Sequence, residues 1–180
     1  LVGKTAVVVG FGGSGQAFVR KLRGFLPGEI LVVDPTESSE RIAEAGGRKV
    51  ALRDALPRAD LISLHVPLKP ETRHLFRRET YAAMKRGAIL INTSRGPIVH
   101  QGDLIEALRS GALGAAGIDV FEQEPLPVDH PFRGIPNIVL SDHMGWYSRE
   151  SFSELKTLTA RNVLAVLCGG KPIFPVNRLA

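Results

Sequence analysis

The fold class this 180-residue sequence predicts is α/β, a doubly wound parallel sheet, and three observations carry it. Val7-Val8-Val9 is a β-branched run of the kind buried on both faces of a parallel sheet. That run ends in Gly10, Gly12 and Gly15, spaced G-x-G-x-x-G, with a helical pattern behind them. From there to the end of the chain, short apolar runs alternate with helical segments, which is the pattern of βαβ units.

Each glycine of the turn has its own physical task. Gly10 makes the tight turn, Gly12 lets a pyrophosphate approach the backbone, and Gly15 lets the helix close on the strand. The helix N-terminus offers unpaired N–H groups and a positive dipole end to the phosphates. Residues 29–34 form a second buried strand that ends on Asp34, 19 residues past Gly15. A carboxylate there accepts hydrogen bonds from the adenosine ribose and repels the extra phosphate of NADP, so NAD is the expected cofactor of a Rossmann-type dinucleotide-binding domain.

The remaining elements follow in order. Residues 16–26 predict a helix with Phe18, Leu22, Phe25 and Leu26 at helical spacing. Ser38 and Ser39 can cap a short helix over 40–45, closed by Gly46-Gly47. A short strand is expected at 49–51, a helical turn at 53–56 and a buried strand at 60–66, stopped by Pro67 and Pro70. A helix over 77–84 has Gly87 as its stop, and strand 88–92 follows. Helix 103–110 ends before Gly111, and 115–120 is another strand. A proline-rich irregular stretch, 123–136, leads to a last strand at 138–140. Ser151-x-x-Glu154 reads as a capping box on a final helix running to Cys168.

Bulk properties narrow the class. Hydrophobic residues make up 44% and charged residues 23%, the balance of a globular domain, and the length predicts one core. No apolar run is long enough to cross a bilayer and the start lacks a signal-peptide layout, so no membrane partner and a cytoplasmic setting are expected. Cys168 is the single cysteine, which excludes an internal disulfide within these residues. The net charge of +5 permits anionic partners. The cations are scattered as pairs such as Lys21/Arg23, Arg77/Arg78 and Lys85/Arg86, with no basic stripe, so no nucleic acid is expected. No metal site is expected either.

Ligands of open α/β sheets bind beyond the carboxyl ends of the strands. Asn92-Thr93-Ser94-Arg95-Gly96 follows one strand, Asp119 with Glu122 and Glu124 follows the next, and Asp142-His143 follows the last. An arginine, an acid and a histidine thus converge on one edge from three segments. Arg95 can hold a substrate carboxylate by two parallel hydrogen bonds and polarise a neighbouring carbonyl. His143 can give a proton to the carbonyl oxygen as hydride arrives and take one back in the reverse direction. An acid beside it would fix the ring tautomer, and by position Glu122 and Glu124 remain rivals for that task. Asp119 could accept a hydrogen bond from the nicotinamide carboxamide.

These strings have a family likeness. Gly3-Lys4-Thr5, His65-Val66-Pro67-Leu68, Pro70-Glu71-Thr72-Arg73, Asn92-Thr93-Ser94-Arg95-Gly96, Gly117-Ile118-Asp119-Val120-Phe121 with Glu124-Pro125, and Asp142-His143 resemble the D-isomer-specific 2-hydroxyacid dehydrogenases along nearly the whole chain. The resemblance implies Arg95 as carboxylate binder, Glu124–His143 as acid/base dyad and Asp119 as nicotinamide contact. It favours Glu124 over Glu122 because the family's acid directly precedes a proline. It implies NAD contacts also at Gly13, Ser14, Val66, Pro67, Thr72, Thr93, Ser94 and Gly145, a small 2-hydroxy or 2-oxo acid as substrate, and a homodimer. Formate dehydrogenases of the same superfamily are less similar, carrying glutamine where Glu124 stands.

Two departures shape the remaining expectations. Met144-Gly145-Trp146-Tyr147-Ser148 stands where the family usually has a glycine pair after the residue next to the histidine. Its Trp-Tyr-Ser is similar to the C-terminal-binding-protein corepressors, which implies an alternative, an NAD-sensing assembly module with little turnover. Trp146 would either line the substrate pocket or pack on the last helix. The family also has a substrate-binding lobe, most of which lies outside these residues. Residues 1–147 are expected to form the dinucleotide-binding domain and 148–180 a helix and tail leading back toward that lobe, so that these residues bind NAD without efficient catalysis. Phe152, Leu155, Leu158, Val163, Val166 and Leu167 are expected to form an apolar face that meets another chain or makes these residues aggregation-prone.

Overall fold

The computed structural model describes residues 1–175. Its sheet has seven strands: β1 (Thr5–Val9), β2 (Glu29–Val33), β3 (Arg48–Lys49), β4 (Leu61–Leu64), β5 (Ala88–Asn92), β6 (Leu113–Ile118) and β7 (Ile138–Leu140). Their spatial order is β3-β2-β1-β4-β5-β6-β7, and every neighbouring pair is parallel. The helices are α1 (Gly13–Leu22), α2 (Ser39–Glu44), α3 (Leu52–Ala55), α4 (Arg78–Ala83), α5 (Gln101–Arg109) and α6 (Arg149–Leu167). The chain turns outward from β1 to β3, returns to the middle with β4, and builds away on the other side. That reversal between β1 and β4 is the switch point of a doubly wound sheet, as the sequence predicts.

Period-two alternation sorts each strand into two layers. On one face Ala6, Val8, Ile30 and Val32 meet Phe11, Val19 and Leu22 of the α1 side and Ile42 of α2. On the other, Val7, Val9, Leu31, Ile62, Leu64 and Leu90 join Tyr81, Leu104 and Leu108 in the larger cluster. The first layer stops short of the far strands, leaving Ile89 and Val139 exposed on their solvent side.

The chain separates into two compact units, Leu1–His143 and a second beginning at Met144. No residue of α6 is buried; Leu155, Val163, Leu164, Val166 and Leu167 are all exposed, and Trp146, Tyr147 and Phe152 form a ring cluster within the same unit.

Most expected elements are present, with shifted ends. Helix α1 starts at Gly13 rather than Gln16 and stops at Leu22. Residues Arg23–Phe25 tighten into a 3₁₀ turn, and Leu26 takes a left-handed φ of 49°, so Phe25 and Leu26 end exposed instead of on a buried face. The physical reason is the return path: Val2 pairs with Pro27 and the chain must re-enter the sheet at Glu29. The capping box of α6 is set by Ser148 and Ser151, not by Ser151 and Glu154. A hydroxyl at either end of the box satisfies the same two backbone N–H groups, so serine substitutes for the acid. Helix α4 ends at Ala83, four residues before Gly87. Helix α5 starts two residues early, capped by the His100 ring accepting from the Asp103 N–H. Within 123–136 a 3₁₀ turn, Pro131–Gly134, buries Phe132 beside Phe121.

Candidate active site

Strand β1 delivers the chain into the glycine turn. Gly10 has φ +97°, and a Cβ there would stand 2.5 Å from the His65 carbonyl oxygen at the end of β4. A Cβ on Gly15 would stand 2.1 Å from the Gly10 oxygen, so α1 rests directly on the turn. Around Gly12 and Gly13 the space is open, with nothing within 4 Å of an added Cβ. Two glycines are therefore demanded by protein packing and two face free space at the start of α1, the division of labour a bound pyrophosphate needs.

Asp34 lies just past β2 and ties that turn down. Its Oδ2 accepts the Phe11 N–H at 2.8 Å, and its Oδ1 accepts from the Thr36 N–H, the Thr36 hydroxyl and the Glu37 N–H. Partial burial raises the carboxyl pKa, but the Phe11, Thr36 and Glu37 donors together bring it below its ordinary value. The group is an anion beside the turn, with Oδ2 the less crowded oxygen. Val33, Pro35, Val50 and Leu52 line an apolar hollow around it. Open glycines, a helix start, an anchored carboxylate and an apolar slot suit a dinucleotide.

At the far half of the edge, Asn92 ends β5 fully buried. Its Nδ2 donates to the Arg95 oxygen and its Oδ1 accepts the Ser94 N–H, while the Ser94 hydroxyl donates to the Leu64 oxygen. Gly96 backs onto Phe121 so closely that a Cβ would lie 1.9 Å from the Phe121 oxygen. The Arg95 backbone is thus fixed, while its exposed guanidinium donates to the Ser94 oxygen at 2.6 Å.

Just past β6, Asp119 is buried and accepts the Ser141 hydroxyl at 2.5 Å; its own carbonyl accepts the His143 N–H at 2.8 Å. His143 holds a left-handed φ of 52°, a conformation that costs a side chain about 1 kcal/mol or more. Its Nδ1 lies 2.8 Å from Glu124 Oε2, and Glu124 Oε1 accepts the Phe121 N–H at 2.9 Å. Hydrogen bonding from His143 and then from Phe121 lowers the Glu124 pKa, against a smaller push from burial. Glu122 points elsewhere, accepting from the Gln101 N–H and standing 3.4 Å from His74 Nε2. Geometry therefore pairs His143 with Glu124.

Among the other expected contacts, Thr72 spends its hydroxyl on a turn, donating to the Pro67 oxygen and accepting from the Lys69 N–H. Val66 packs against the larger core, Thr93 is exposed, Ser14 stands exposed in the first turn of α1, and Gly145 belongs to the second unit. Sequence reasoning missed Asn92 as the clamp of the Arg95 loop and Ser141 as the partner of Asp119. An amide closing an apolar strand ahead of a polar loop was the available signal for the first. Among the described residues, no group of three or more His, Cys, Asp or Glu side chains could hold a metal ion, and no helix is long and apolar enough to cross a membrane.

Comparison with known proteins decides the family. Residues 1–145 match the family described as D-isomer specific 2-hydroxyacid dehydrogenase, NAD binding domain. The chain belongs to that family. A glyoxylate reductase of Korarchaeum cryptofilum is 41% identical over 176 residues, which is 98% of this chain and 53% of that protein. The TT0316 protein of Thermus thermophilus superposes with a TM-score of 0.91 at 40% identity, over 98% of this chain and 55% of that one. D-lactate dehydrogenase with NAD+ from Lactobacillus jensenii gives 0.88 at 28% identity, over 97% and 56%. The chain spans about half the length of the relatives it matches. Within the 2-hydroxyacid dehydrogenase frame, the glycine turn and Asp34 stand in an NAD-binding domain, with the His143–Glu124 pair on the same edge.

Proposed function

We propose that this chain is the cofactor-binding part of an NAD-dependent dehydrogenase that moves a hydride between nicotinamide and C2 of a 2-hydroxy or 2-oxo acid. The observation that carries it is the His143–Glu124 pair at 2.8 Å on the same sheet edge as Arg95 and the glycine turn. NAD, when bound, supplies or receives the hydride. Arg95 takes the substrate carboxylate in a two-pronged hydrogen bond and draws charge from the adjacent carbonyl. With Nδ1 held by Glu124, the Nε2 proton of His143 passes to the carbonyl oxygen as C2 receives the hydride, leaving neutral imidazole and the 2-hydroxy acid. Oxidation runs the same transfers backward. Asp119 would accept a hydrogen bond from the nicotinamide carboxamide. Gly12, Gly13 and Ser14 would cradle the pyrophosphate in a turn that Gly10 and Gly15 shape, and Asp34 would receive the ribose hydroxyls, which disfavours NADP.

Glyoxylate is the first substrate to test, since the Korarchaeum relative is a glyoxylate reductase. The test has two arms. Titration of NADH fluorescence on these residues should show binding that NADPH does not match and that Asp34→Ala weakens. Turnover of glyoxylate or hydroxypyruvate by the whole protein should then be lost in His143→Asn; equal rates in wild type and variant would remove the dyad from the reaction. A homodimer in the cytoplasm completes this reading, supported by the exposed apolar residues of α6 and the single cysteine. A monodisperse monomer in light scattering would count against the dimer.

The exposed Trp146–Tyr147–Phe152 cluster favours one second reading, NAD-linked assembly with little turnover. NADH-dependent self-association without reduction of any 2-oxo acid would select it.

A further inference from the structure

Glu122, the acid left out of the dyad, sits where three segments of the edge meet. Its Oε1 accepts the N–H of Gln101, the first residue of α5, at 3.3 Å. The same oxygen is 3.4 Å from His74 Nε2, an atom buried without any hydrogen bond. His74 is held there against its own preference: φ is 49°, its N–H donates to the Pro97 oxygen, and its ring meets the His100 ring edge-on at 4.9 Å. Residues 74–76 run beside 97–100 through Phe76 N–H to the Ile98 oxygen and His100 N–H to the Phe76 oxygen. Immediately before Glu122, the Phe121 carbonyl lies against Gly96, and Gly96 follows Arg95.

Beyond the last β5–β6 bond, from the Asp119 N–H to the Asn92 oxygen, the Arg95 segment and the Glu124 segment meet again backbone to backbone at Gly96 and Phe121, and a third time where the Glu122 carboxylate takes the Gln101 N–H at the end of the Arg95 loop. The last of these contacts is made by a side chain and holds the end of the Arg95 loop farthest from the paired strands. We propose that Glu122 is a positioning residue, fixing the offset between the Arg95 loop and the Glu124–His143 pair so that guanidinium and imidazole address one substrate molecule. His74 is its counterpart, and the two act as one fastening. This inference rests on the dehydrogenase reading above. It assigns to Glu122 a large effect on substrate and a small one on NADH, most of whose proposed contacts, the glycine turn and Asp34, lie on the other half of the edge, around β1 and β2.

The test is steady-state reduction of glyoxylate by the whole protein, with NADH affinity measured separately by fluorescence. Glu122→Ala is expected to raise KM at least tenfold, lower kcat less, and leave the NADH Kd within twofold. Glu122→Gln retains an acceptor for the Gln101 N–H and should recover most of the loss. His74→Ala added to Glu122→Ala should cost nothing more, because the fastening is already open. If Glu122→Ala does not fold, Glu122→Asp carries the test, since its arm is one methylene short, and KM should again rise. Unchanged KM in the folded variant, or NADH affinity falling in step with KM, overturns the proposal. A wild type that reduces no 2-oxo acid overturns the dehydrogenase reading, and this inference with it; an active wild type with an indifferent Glu122 overturns this inference alone.

Discussion

Nδ1 of His143 stands 2.8 Å from Glu124 Oε2, and the other oxygen of that carboxylate is held by the Phe121 N–H. The histidine comes from beyond β7 and the glutamate from beyond β6, so neighbouring strands place the pair. Replacing Glu124 by Gln keeps the shape and removes the charge. In the whole protein kcat should fall on the order of 10²–10⁴-fold, the usual worth of a positioned acid/base group. NADH affinity should not move, and a kcat within threefold of wild type would deny the pair its role.

Arg95 offers a planar fork where lysine offers a point charge. Arg95→Lys removes one charge-assisted hydrogen bond, worth about 1.5–3 kcal/mol, which is roughly ten- to a hundredfold in kcat/KM for a 2-oxo acid. The loss should sit mainly in KM, read from saturation curves with glyoxylate and pyruvate.

The glycines of the first turn should separate by what surrounds them. Gly15→Ala drives a Cβ to 2.1 Å from backbone oxygen, so urea unfolding should report a loss of roughly 2–3 kcal/mol or more. Gly12→Ala meets open space and should cost about 1 kcal/mol or less. It should nonetheless weaken NADH binding at least tenfold, because the methyl occupies the approach of the pyrophosphate.

Stability should fall in two stages as the solution is acidified. His65 is half-buried against Phe18, with its Nε2 bonded to the Ser63 hydroxyl, and this burial lowers its pKa below the unfolded value of 6.5. The unfolded chain binds that proton first, so this contribution is complete above about pH 6.5 and drains away as pH drops toward the folded pKa. Asp34 and Glu124 also have lowered values, so their contributions are present above the unfolded carboxylate range and are lost only in stronger acid. Urea midpoints measured from pH 8 to pH 3 should show both stages, and His65→Gln should flatten the first.

How much was legible in the sequence depends on how local the cause is. The strands were readable because burial on two faces writes itself as an unbroken apolar run; 88–92 and 138–140 match to the residue. Phe25 and Leu26 carried the right spacing for a helix, but a left-handed residue and the Val2–Pro27 pairing stop it, and no local pattern encodes that partner. In the site, strand order explains why Arg95, Asp119 and His143 were found: each follows a strand end, and the three strands are neighbours. The choice between Glu122 and Glu124 was not local. By position the two stayed rivals, and the resemblance favoured Glu124 through the proline that follows it; in the structure the Glu124 carboxylate reaches His143 while that of Glu122 turns to Gln101. The Ser141 clamp was invisible because its partner, Asp119, lies on another strand end, whereas Asn92 bonds Ser94 and Arg95 on its own loop and had a local signal.

The contact of Gly96 with the Phe121 carbonyl bears on any attempt to retarget this scaffold by directed evolution. Randomising 96 wastes the screen, because every side chain there collides with main chain. Thr93 and Arg95 on the same loop project outward with no such restriction, so mutational libraries are best concentrated at Thr93, with Arg95 retained for the acid and the backbone left as an inherited jig.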